Sequence, residues 1–137
     1  MVEARVVWQD GLRFEAISPN GHRWIIDSPQ GGNAGPSPME LVLVALAGCT
    51  AMDVISILQK QRQPVRGLEV LVRAERAEQH PKVYTSFEVT YRVQGEGIDR
   101  RAVERAVALS EEKYCSVGAM LQQSAPIRSS IEIIESA

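Results

Sequence analysis

Residues 36–54 read PSPMELVLVALAGCTAMDV, and this stretch decides the fold. Ser37 is a natural helix N-cap. Pro38 suits the first helical position, where a missing N–H costs nothing, and Glu40 stands where a capping box wants an acid. A helix is therefore predicted from here to about Gln61, with Pro64 just beyond it as a stop. From Leu41 to Ala51 the side chains are apolar on nearly every side. A helix that is apolar all round is buried all round. A chain of 137 residues supports one domain with a modest core. The helix is thus expected at the centre of that domain, its far side covered by a second subunit.

The flanking sequence reads as strands. Val2, Ala4, Val6 and Trp8 alternate with mostly polar residues, the mark of a half-buried strand. Asp10-Gly11 is a hairpin signal. A second strand is predicted near Leu12 to Ile17, and a third from His22 to Asp27, after the turn Pro19-Asn20-Gly21. Residues 28–38, SPQGGNAGPSP, form a loop, since their glycines and prolines deny it regular structure. Beyond the helix, Leu68, Val70, Val72 and Ala74 share one face of a long strand. Val83, Phe87, Val89, Tyr91 and Val93 share a face of the next, with Gln79-His80-Pro81 as the connection. Asp99 caps a second helix with Val103, Ala106, Val107 and Ser110 on one face. A third, short helix starts near Cys115-Ser116 and stops before Pro126, and Ser130 to Glu135 is a last strand. The order βββ-α-ββ-αα-β is an α+β fold with mostly antiparallel pairing, in a single domain covering residues 1–137 without internal repeats.

Several functions are set aside by composition and spacing. Net charge is −2 and no stretch is a dense basic block, so neither nucleic acid nor an anionic membrane is expected as a partner. The opening MVEARVVWQDG carries charges where a secretory signal has its apolar run. The longest apolar run, Leu41 to Cys49, is short of a membrane span and is followed by Asp53, so a cytoplasmic protein is expected. His22 and His80 lie on separate elements without ligand spacing, and no metal or other cofactor is expected. There is no C-x-x-C pair and no G-x-S-x-G elbow. The GGNAG segment precedes a helix but lacks the Gly-Lys-Ser/Thr ending of a phosphate-binding loop, and reads as a flexible loop.

That leaves two cysteines, Cys49 and Cys115. In the cytoplasm such a pair is free, metal-binding or redox-active rather than a permanent staple. A thiol in an apolar helix is most often inert packing. Cys49 lies about 18 Å past the helix cap, beyond the reach of the helix dipole. Asp53, one turn on and on the same face, opposes its ionisation. A reactive thiolate there needs a cation from elsewhere. Cys115, at a helix start, has free backbone N–H groups to favour its thiolate.

Residues 36–54, taken with LSEEKYCSVGAML at 109–121, resemble the two cysteine motifs of the OsmC/Ohr superfamily, the osmotically induced and organic hydroperoxide resistance proteins. The resemblance implies an intertwined homodimer in which two curved sheets wrap two central helices. It also implies a mechanism. Cys49 is the peroxidatic nucleophile that attacks an organic hydroperoxide, Cys115 resolves the resulting sulfenic acid as a disulfide, and a dithiol reductant resets the pair. Asp53 would orient the cation beside the thiol. Met52, Tyr114 and Met120, by closeness to the cysteines, are expected to line an apolar pocket. Two positions depart from the family's peroxidases. Met39 stands where they carry an acid, and Glu40 falls on the face opposite Cys49. The loop from Asp27 to Pro38 contains no arginine, which leaves Arg13 and Arg23 as the nearest candidates. A non-catalytic dimer binding a small apolar ligand, or a thiol sensor oxidised once, are the alternatives.

Overall fold

The computed structural model describes residues 1–136. Its elements run β1 (Arg5–Asp10), β2 (Arg13–Ile17), β3 (Arg23–Ile26), α1 (Pro38–Lys60), β4 (Val65–Arg76), β5 (Tyr84–Gly95), α2 (Arg100–Leu109), a π-helical turn (Ser110–Tyr114), α3 (Ser116–Leu121) and β6 (Ile127–Glu135). The chain, read from its sequence as one domain, forms two compact units, Met1–Val42 and Leu43–Ala137. The fold is α+β, with three-stranded sheets in the orders β1-β2-β3 and β4-β5-β6.

In the first unit, Gly11 takes a positive φ of 52° and turns β1 back on β2, as the Asp-Gly pair predicts. All of β1 is exposed, including Val6, Val7 and Trp8; Ala16 is the buried apolar residue of the unit among those described. The expected loop forms between β3 and α1, one residue shorter because Pro38 opens the helix, and it is tied to a buried carboxylate, Asp27. Its Oδ1 accepts from the Ser28 N–H at 2.7 Å and its Oδ2 from the Ala34 N–H at 3.0 Å. The Asp27 N–H in turn donates to the Pro36 carbonyl at 3.2 Å. Asp27→Ala removes the acceptor for both N–H groups, and should cost about 1 kcal/mol in urea unfolding, with faster amide exchange across residues 28–34. The capping box forms in full. The Ser37 hydroxyl and N–H donate to Glu40 at 2.8 and 3.2 Å, and the Glu40 N–H returns to the Ser37 oxygen at 3.3 Å.

In the second unit, α1 buries one stripe, Leu46, Thr50, Val54 and Leu58, at the i, i+4 spacing of a single helix face. This stripe joins a core with Phe87, Val89, Tyr91 and Val93 of β5 and Val103 and Ala106 of α2. The opposite face stays exposed in one chain, with Val44 at 62% and Met52 at 73% of full exposure. By length and composition alone α1 could cross a bilayer; its stripe is spent on a protein core. The expected faces of the long hairpin pair residue by residue: Leu68 with Val93, Val70 with Tyr91, Val72 with Val89, Ala74 with Phe87. Val83 falls outside this face. The register slips between Glu75 and Arg76, the strand begins at Tyr84, and Val83 is exposed. The last strand begins at Ile127, ahead of the expected Ser130, and runs parallel to β5, because the helices between them carry the chain back to the starting edge. Asp99 caps α2 by accepting from the Arg101 N–H at 3.0 Å.

Candidate functional site

Three elements of the second unit converge on the cysteines. α1 supplies Cys49, Thr50 and Asp53, the π-helical turn supplies Ser110 and Glu111, and α3 supplies Cys115 as its N-cap. The π-helical turn is closed by the Cys115 N–H on the Ser110 carbonyl at 2.7 Å. Its wider winding departs from the α-helical phase of α2, and such turns recur at functional sites. Both thiols are free, and they lie near enough for Cys49 to act on Cys115 although 66 positions separate them in sequence. Cys49 is half-buried; Cys115 is buried at 4% exposure.

The helix start acts on Cys115 as its position predicts, since its Sγ accepts the Gly118 N–H at 3.3 Å. The expected gain in acidity does not follow. Burial is the largest influence, and with the neighbouring Cys49 and the charge of Asp53 it pushes the thiol from an ordinary 9.0 up to about 11 against the pull of that N–H. Cys115 is therefore a neutral thiol at physiological pH. The unfolded chain loses this proton near pH 9 and the folded chain near 11. Stability from this group is thus complete below pH 9 and lost as pH rises toward 11. The thermal midpoint should fall across that interval in the wild type, and fall less in Cys115→Ala.

A hydrogen-bonded chain lies beside the sulfurs. Ser110 Oγ donates to Asp53 Oδ2 at 2.9 Å. Thr50 Oγ1 lies 2.8 Å from Ser110 Oγ and 2.8 Å from Tyr91 OH, and Tyr91 OH donates to Glu111 Oε2 at 3.1 Å. Burial, above all, holds the Tyr91 phenol well above its usual range. Ser129 Oγ donates to the other Glu111 oxygen at 3.1 Å. Thr50, Tyr91, Glu111 and Cys115 line a cavity of about 170 Å³ whose apolar wall is Leu46, Val89 and Ile127.

The expected pocket residues lie elsewhere in the single chain. Met52 sits on the helix face opposite the buried stripe and lines a separate groove with Ile55, Val65 and Leu68. Tyr114 is half-exposed, with the Lys113 ammonium over its ring, and Met120 is 71% exposed. Asp53 meets a hydroxyl, Ser110, in place of a cation. Arg13 and Arg23 are engaged within the first unit, with Asp10 at 3.9 Å and Glu15 at 2.8 Å. The sequence does not mark Thr50, Tyr91, Ser110 and Glu111 as site residues. The available signal was a threonine and a tyrosine set into otherwise apolar buried faces, where a polar group needs a partner.

A mixed fold with two cysteines brought together from a long central helix and the start of a later one defines the class, and residues 31–130 match the family model for OsmC-like protein. The chain belongs to the OsmC-like family. It is 46% identical over 133 residues, 97% of its length and 98% of the relative's, to the protein YhfA of Escherichia coli K12. Among solved structures it resembles a hypothetical protein from Aquifex aeolicus VF5, with 33% identity, TM-score 0.88, and 100% and 98% of the two chains covered. The organic hydroperoxide resistance protein OhrB of Bacillus subtilis shares the fold at 18% identity and TM-score 0.62, over 95% and 98% of the chains.

Proposed function

We propose that this protein is a cytoplasmic, homodimeric, cysteine-based reductase of organic hydroperoxides. The observation that carries the reading is a pair of free thiols near enough to act on each other, one of which, Cys115, lines a small, partly apolar cavity. Cys49 Sγ, as thiolate, attacks the peroxide; an S–O bond forms, the O–O bond breaks, and the alkoxide leaves as an alcohol after taking a proton. Cys115 then attacks the sulfenic acid; an S–S bond forms and water departs with the thiol proton. A dithiol reductant opens the disulfide by exchange and is itself oxidised. Cys115 loses its proton as it attacks, and that proton leaves with the departing water. The apolar outer face of α1 and the exposed apolar residues of β1 favour a second copy of the chain as their cover.

One observation favours a non-catalytic dimer that binds a small apolar ligand, or a sensor that oxidises once: the charges that act on Cys115 are Cys49 and Asp53, and both disfavour a thiolate. Consumption of cumene hydroperoxide with dithiothreitol or lipoamide decides. Sustained turnover supports the reductase. A single equivalent consumed supports the sensor, and none supports the binder.

A further inference from the structure

Between Asp53 and Glu111 run four contacts, Asp53–Ser110, Ser110–Thr50, Thr50–Tyr91 and Tyr91–Glu111, at 2.9, 2.8, 2.8 and 3.1 Å. Each hydrogen bond needs one proton between its oxygens. The three hydroxyls between the carboxyls supply three. If Ser110 donates to Asp53 and Tyr91 to Glu111, Thr50 has one proton for two neighbours, and one 2.8 Å contact sets lone pair against lone pair in a buried place. A proton on either carboxyl removes the conflict. With Asp53 protonated, every hydroxyl donates toward Glu111; with Glu111 protonated, every hydroxyl donates toward Asp53. The two states interconvert by turning each hydroxyl once.

We infer that Asp53 and Glu111 share one proton through Ser110, Thr50 and Tyr91, and that this chain carries protons along the wall of the cavity that Cys115 also lines. Glu111 and Cys115 line the cavity, and Asp53 is near enough to Cys115 to influence it. The titratable groups around the chain are Cys49 on α1, Tyr91 on β5, Glu112 beside Glu111 on the cavity wall, and Cys115 at α3. The consequence for catalysis rests on the peroxidase reading: the proton taken by the departing alkoxide is the shared one, released at the end nearer the sulfurs and replaced at the other. Thr50 is in this sense a positioning residue, the link without which the carboxyls are independent.

Infrared spectra of the reduced protein at neutral pH test the shared proton without turnover. One protonated-carboxyl C=O band is expected in the wild type, shifting with ¹³C labelling of Asp and Glu. It should vanish in Thr50→Val and persist in Thr50→Ser, which keeps the hydroxyl and guards against a trivial packing effect. Absence of the band from the wild type, or its survival unchanged in Thr50→Val, overturns the inference. In a peroxidase, Thr50→Val should also lower turnover about a hundredfold and displace its pH profile. The predicted band pattern in a protein that turns over no peroxide would still establish the shared proton and would overturn the peroxidase reading alone.

Discussion

Cys49→Ser is expected to reduce hydroperoxide turnover with a dithiol by at least about 10³-fold, to the uncatalysed background, while Cys115→Ser leaves one rapid equivalent of peroxide consumed. The asymmetry follows from the two environments. Cys49 is half-buried, whereas Cys115 is buried at 4% exposure and held neutral by burial, by Cys49 and by Asp53. A hydroxyl at position 49 cannot take up the peroxide oxygen, since serine lacks the polarisable, readily ionised sulfur that attack on O–O requires. Without Cys115 the first step still proceeds, and the sulfenic acid waits for an external thiol. Mass spectrometry should therefore find one added oxygen on Cys49 in Cys115→Ser and a Cys49–Cys115 disulfide in the wild type. Loss of the first equivalent in Cys115→Ser and its retention in Cys49→Ser would reverse the assignment of roles.

The scaffold was legible wherever a local rule coincided with a tertiary one. The Ser37-Pro38-Glu40 cap, the Asp10-Gly11 turn and the facing alternation of Leu68 to Ala74 with Phe87 to Val93 are each set by backbone chemistry within a few residues, and each appears as expected. The π-helical turn was not legible. It is a slip of winding between α2 and α3 whose first residue, Ser110, bonds to Thr50 and Asp53, 60 and 57 positions away. The lining of the cavity in the single chain was not legible for a similar reason. Nearness in sequence to Cys49 and Cys115 selected Met52, Tyr114 and Met120, but helix phase turns Met52 outward, and the cavity draws on β5 and β6 instead. The acidity of Cys115 was misjudged because a helix N-cap is visible in sequence and the depth of burial opposing it is not.

Placing a charge on the outer face of α1 should split the proposed dimer. On that face Val44, Ala45 and Met52 are exposed in one chain, and Gly48 and Ile55 lie between them on the helical wheel. A bilayer is a poor alternative cover, because the opposite stripe of the same helix carries Thr50 in a hydrogen-bonded protein core. Met52→Glu buries an unpaired carboxylate if a second copy covers the face, at a cost of about 4 kcal/mol, or about a thousandfold in Kd. Light scattering at micromolar concentration should find the wild type dimeric and Met52→Glu monomeric; equal masses for the two would remove this interface. Gly48 sharpens the test, since the chain alone and the dimer demand opposite outcomes there. A Cβ built at Gly48 meets nothing within 4 Å in the single chain. In a monomer, Gly48→Ala should therefore stabilise α1 by about 1 kcal/mol, through the lower conformational freedom of the unfolded chain. Where two α1 helices pack face to face, a larger side chain at the same point holds them apart. Gly48→Leu should then weaken association while leaving the fold of each chain intact.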